Sequence, residues 1–162
     1  MNDKSPLSRC TLPDVVRSYL GDCLEGFEPI EKKDFSSMLL EYVIDHEGDY
    51  IHWLLCADFD GNGKVDYALL VKREGKVSLV VIRALKDRFA LDILEADIES
   101  MPCYMTLKLH PPGPTSMGMV DDIDAPVKKL KNPAIIVSTA EIDDDRLWYR
   151  EKGRWHRVYV GL

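Results

Sequence analysis

The chain has 162 residues, 46% of them hydrophobic and 30% charged, and carries a net charge of −7 at pH 7. That composition is ordinary for a globular protein long enough to bury a core. Its acidic sign, with an isoelectric point near 5.1, argues against nucleic acid or an anionic membrane as the main partner.

Residues 1–10 read as a loose leader, and Met1-Asn-Asp-Lys-Ser-Pro6 lacks the apolar segment of a signal peptide. Taken literally this places the protein in the cytoplasm; removal of a leader would place it in the periplasm or outside the cell. Thr11 is positioned to cap a helix, with Pro13 in its first turn and Asp14 completing a capping box. Leu12, Val15, Val16, Tyr19, Leu20, Cys23, Leu24 and Phe27 recur at helical spacing, and Gly26 is the expected stop. Such a stripe needs a sheet to cover. Residues 34–44 fit either a second short helix or the start of a strand.

From residue 50 the pattern is β. The expected strands are 50–58, 66–73, 77–84, 89–98, 103–110, 134–142, 146–151 and 154–160, with tight turns at Glu74-Gly-Lys76, Lys86-Asp87 and Lys152-Gly153. Short turns between successive strands imply antiparallel pairing. Residues 111–133, rich in Pro and Gly, read as the longest loop, with a helical turn over 125–130. The predicted fold is therefore α+β: one domain over 1–162, a mostly antiparallel meander with one or two N-terminal helices packed on it. No apolar run approaches the ~20 residues needed to span a bilayer.

The four cysteines, Cys10, Cys23, Cys56 and Cys103, allow three pairings. A helix between Cys10 and Cys23 disfavours that pair, and mid-strand Cys56 reads as a small buried apolar residue. No Cys-x-x-Cys pair suggests structural zinc.

The most informative stretch is Asp58-Phe-Asp-Gly-Asn-Gly-Lys-Val-Asp66. Calcium takes six to eight oxygens at about 2.3–2.6 Å, and alternate residues of a tight loop can converge to supply them. Asp58, Asp60, Asn62 and Asp66 would offer side-chain oxygens and Lys64 its carbonyl, while Gly63 stands where the chain must turn. The position where an EF-hand carries its bidentate Glu is Leu69, and the flanks read as strands rather than helices. A metal-free hairpin would account for Asn62-Gly63. It would not require three mutually repelling aspartates.

ADFDGNGKVDYALLV, residues 57–71, resembles the FG-GAP/VCBS type of repeat that is also found in integrin propeller blades. Together with LPDVVRSYL (12–20), PAIIVS (133–138) and RLWYREKGRWHRVYV (146–160), it makes the chain similar to small bacterial proteins, usually exported, that carry a single such loop. That resemblance implies an extracytoplasmic setting and assigns no activity.

Enzymatic signatures are missing. There is no Gly-x-Ser-x-Gly elbow and no phosphate loop, and His46, His52, His110 and His156 are scattered without metal-ligand spacing. A Cys/His pair drawn from Cys56 or Cys103 with His52 or His110 has no motif behind it. The acidic runs Asp121-Asp-Ile-Asp124 and Glu141-Ile-Asp-Asp-Asp145 read as solvated turns. Trp148, Tyr149 and Trp155 on the closing hairpin are the favoured contact surface for a protein partner. The function expected is that of a non-catalytic calcium-binding interaction protein of the bacterial envelope. The alternative is an immunity-type protein that neutralises a toxin enzyme, suggested by small size, acidity and the missing catalytic motifs.

Overall fold

A computed structural model describes residues 10–41, 53–118, 123–140 and 142–160, without the side chains of 142–144. The start of the expected first strand, the end of segment 34–44, His46, His52, Asp121, Asp122 and Glu141 lie outside that description.

The described residues are mostly antiparallel sheet. The strands are β1 (Glu28–Pro29), β2 (Leu54–Ala57), β3 (Asp66–Arg73), β4 (Lys76–Ala84), β5 (Phe89–Ser100), β6 (Met105–His110), β7 (Gly113–Ser116), β8 (Val127–Leu130), β9 (Ala134–Thr139), β10 (Ile142–Glu151) and β11 (Arg154–Tyr159). They form not one meander but two main sheets and a ribbon. The first sheet is ordered β1-β3-β4-β5 with β2 also on β3, the second is β11-β10-β9-β6, and β7 pairs with β8.

The apolar runs of β3 and β4 explain the layering. Antiparallel strands are often wet on one face, yet residues 68–71 and 77–82 are all buried. Ala68 and Leu70 stand opposite Val81 and Leu79, and this set packs with Met105, Leu107, Ile135 and Val137 of the second sheet. Leu69, Val71, Val80 and Ile82 point the other way, onto the helix α1 (Asp14–Cys23) through Val16 and Leu20. Strand alternation therefore supplies both interfaces at once: helix on sheet, and sheet on sheet.

Three local expectations need correction. Thr11 does not cap α1: Pro13 occupies the N-cap in extended conformation, and its carbonyl accepts the Val16 and Arg17 N–H groups. The helix ends at Cys23, before Gly26, whose φ of +80° serves the turn into β1. Residues 111–133 hold the β7–β8 ribbon, Gly113↔Leu130 to Ser116↔Val127, instead of an irregular loop with a helical turn. Pro114 is tolerated there because a two-stranded ribbon leaves an edge where its missing N–H costs little.

Cysteine usage is also corrected. Cys10 and Cys56 form a disulfide, Cα to Cα 5.7 Å, so Cys56 is not a lone apolar residue and the leader is pinned to β2 at its last residue. Cys23 is an exposed free thiol and Cys103 a buried one.

Segment 34–44 begins with a 3-10 turn, Lys32–Asp34, and residues 37–41 are helical. Ser36 caps this helical turn, its hydroxyl accepting the Leu39 N–H at 3.1 Å. Asp34 accepts the Glu31 N–H and pairs with Lys72 of β3 at 2.7 Å. Burial alone would raise its carboxyl; the Lys72 ammonium and the Glu31 N–H outweigh that and hold it below the ordinary 3.8. A depressed folded pKa contributes stability above the unfolded value and loses it as pH falls through the folded one. Asp34→Asn should therefore flatten the acid limb of a stability–pH curve below 3.8, as read by urea unfolding at stepped pH. An unchanged limb would remove this pair from the account.

No helix among the described residues is long and apolar enough to cross a membrane.

Candidate metal centre

The acidic loop is fixed by the register of the strands it joins. Ala57 and Asp66 are the last pair of β2 and β3, so residues 58–65 must reverse the chain between them. Asp58 organises this reversal. Its Oδ1 accepts the N–H groups of Gly61 and Asn62 at 2.8 and 3.1 Å, and its Oδ2 accepts that of Gly63 at 2.8 Å. Gly61 and Gly63 sit at φ +76° and +83°, where a side chain would be strained. At Gly61 a Cβ would also fall 2.7 Å from Asn132 Oδ1 in the β8–β9 turn. The loop is thus seated against the second sheet.

Asp66, fully buried, closes the loop: its Oδ2 accepts the Phe59 N–H and its Oδ1 the Ala84 N–H, both at 2.9 Å. Asn62 accepts the Lys64 N–H on Oδ1 and donates through Nδ2 to the Ala84 carbonyl. Its oxygen keeps a second lone pair. Asp60 accepts the Asn62 N–H on Oδ1. The Lys64 ammonium turns to the Lys86 carbonyl at 3.3 Å.

These constraints bring one oxygen from each of Asp58, Asp60 and Asp66 within 4.8 Å of one another. Ligands on opposite sides of a calcium ion stand about 4.6–5.2 Å apart, twice the metal–oxygen distance. The carboxylate spacing therefore suits a single hard cation, and the all-oxygen donor set has the right chemistry. Leu69, at the EF-hand glutamate position, is buried against α1 and supplies nothing.

The charged form of Asp66 is disfavoured where it stands. Burial, and after it the charge of Asp60, push the Asp66 carboxyl up to about 6, against the pull of the Ala84 and Phe59 N–H groups. Arg83 Nη1 lies 3.6 Å from Asp60, but its Nε is committed to Asp92 at 2.6 Å. One shared guanidinium leaves most of the negative charge in place.

Arg83 and Asn132 reach the loop from a distant strand and turn, and Asp92 acts on it only through Arg83; none carries a local sequence signal. Among the described residues, no other group of three metal-ligating side chains converges this way.

The remaining sequence candidates fall elsewhere. Trp148 and Trp155 are partly buried against the inter-sheet core, and their indoles donate to Glu95 and Asp92 of β5. Tyr149 lies on the opposite face, stacked on His156 with ring centroids 5.1 Å apart. The three aromatics expected to form one contact surface are thus split between two faces. Cys56 is spent in the disulfide, and burial pushes the Cys103 thiol far above its ordinary range, so neither offers a thiolate for nucleophilic chemistry.

No family model, curated protein or solved structure matches the chain.

Proposed function

We propose that this chain is a non-catalytic calcium-binding interaction protein of the bacterial envelope. In it, Ca²⁺ fixes the β2–β3 hairpin through Asp58, Asp60, Asn62, Asp66 and the Lys64 carbonyl. The observation that carries this is the convergence of three carboxylates to within 4.8 Å in a loop whose charge is only partly offset. Water would complete the coordination shell. The Cys10–Cys56 bond supports an oxidising compartment, in keeping with the exported proteins that residues 57–71 resemble. The cation's work is structural: it neutralises the loop and locks the hairpin end against the second sheet, leaving a protein surface for a partner.

Asp60→Ala tests this most cleanly, because Asp60 accepts only the Asn62 N–H and shares Arg83, so its loss disturbs the calcium-free fold least. Calcium at about a hundredfold excess over its dissociation constant should stabilise the wild type by ~2.7 kcal/mol, about 5–10 °C in Tm. The variant should show no such rise when both are melted by circular dichroism. A wild type indifferent to millimolar calcium, or a variant that responds equally, would reject the assignment.

A further inference from the structure

We propose that a pocket walled by β8, the β8–β9 turn and the β10–β11 turn binds a small oxyanion of the phosphate class carrying two or more charges. The depression has a volume of about 190 Å³ and is bounded by Lys128, Lys129, Lys131, Arg150 and Lys152. Two carboxylates, Asp60 and Glu151, also line it. Five cations against two anions is a local inversion in a chain whose net charge is −7.

The distribution of partners sharpens the inference. Lys128 is already used: it pairs with Glu151 and lies 5.2 Å from the Tyr149 ring centroid, so the pair forms a neutral wall. Arg150 donates one Nη2–H to the Gly153 carbonyl at 3.1 Å, while its buried Nε–H has no partner among the described residues. Lys129, Lys131 and Lys152 are exposed at the rim and make no ion pair or side-chain hydrogen bond with any described residue. Three lysines outside any ion pair give the rim of this hollow an excess of positive charge, which a multivalent anion would offset. The volume is below the roughly 300–1,000 Å³ of sites for drug-sized ligands, which favours a compact anion. Lysines serve phosphate as mobile point charges and need no preset fork geometry.

The pocket shares Asp60 with the acidic loop, so its test is run without calcium to keep the two sites apart. Inorganic pyrophosphate titrated into the full chain in metal-free, low-salt buffer should give saturable one-to-one binding by calorimetry, at a dissociation constant of about 1 mM or below. Lys129→Ala/Lys131→Ala/Lys152→Ala should weaken it at least about tenfold, since together they remove three positive charges from the pocket lining. Lys32→Ala/Lys33→Ala/Lys86→Ala, which removes the same charge outside the pocket, should stay within about twofold of wild type, because screening mutes distant charges. All the substituted lysines are exposed, so the fold should survive. No saturation by about 10 mM, or equal loss in both triple variants, overturns the pocket as a site.

Discussion

Replacing Asp66 by alanine should cost the protein about 2–6 kcal/mol in calcium-free buffer at a pH below 3.8, where no buried charge is relieved, because two N–H groups lose their acceptor at about 1–3 kcal/mol each. Asp66 is fully buried, and its two oxygens separately take the Phe59 and Ala84 N–H groups. It ties the start of the loop to the end of β4. Asp66→Asn should be the milder variant: its amide oxygen still accepts one of the two bonds, and it carries no charge to bury. The pH dependence separates the two contributions. Folding raises this carboxyl from 3.8 to about 6. A raised folded pKa means stability fully present below the unfolded value and lost as pH rises through the folded one. Calcium-free wild type should therefore lose stability from this group between 3.8 and about 6, and Asp66→Asn should lack that component. Both variants should also lose the response to calcium. Chemical unfolding at stepped pH reads all of this; an alanine variant within about 1 kcal/mol of wild type would mean that the carboxylate does not hold the loop.

Loss of the Cys10–Cys56 bond should be comparably severe. The cross-link closes a sequence separation of 46 residues, for which chain entropy gives about 4 kcal/mol. That loop contains all of α1, whose Val16 and Leu20 cover the outer face of the first sheet. Without the bond, the segment leading into the helix keeps the apolar contacts of Cys10 and Leu12 with that face but loses its covalent anchor. Denaturant midpoints with and without reductant should differ for wild type and coincide for Cys10→Ser/Cys56→Ser. Thiol counting supplies the control. Native protein should expose one reactive thiol, Cys23, and denatured protein a second, Cys103. If reductant leaves the wild-type midpoint unmoved, the cross-link contributes nothing to stability.

What could be read from the order of residues follows the range of the interactions. The strands that became β2–β6 and β9–β11 were visible because alternation, apolar runs and Gly turns are local signals. The acidic loop was visible for the same reason: Asp58 to Asp66 supply its turn, most of its hydrogen bonds and its carboxylates. The rest is set by partners far away in sequence. The apolar runs of β3 and β4 require cover on both faces, but which strands meet each face, and so the division into two sheets, is set by β6 and β9 far along the chain. The pairing of Cys10 with Cys56 is likewise a tertiary event. β7 was masked by Gly113 and Pro114, residues that break most strands but are tolerated at an edge. Trp148 and Trp155 look like a platform on a hairpin until Glu95 and Asp92 arrive beneath them to take their N–H groups. Arg83 and Asn132 reach the acidic loop from β4 and the β8–β9 turn, contacts that no local pattern announces.

The ring of Phe59 belongs to the ion loop by sequence and to the interior by position, fully buried in the core between the sheets and 6.3 Å from the Trp155 ring centroid. The same indole is reached a second way, from Asp60 through Arg83 to Asp92 and its N–H. Should the hairpin take up calcium as proposed, one apolar and one polar route lead from it to a chromophore on the opposite sheet. Trp155 emission, isolated in a Trp53→Phe/Trp148→Phe background, should then follow the loop with no dye attached.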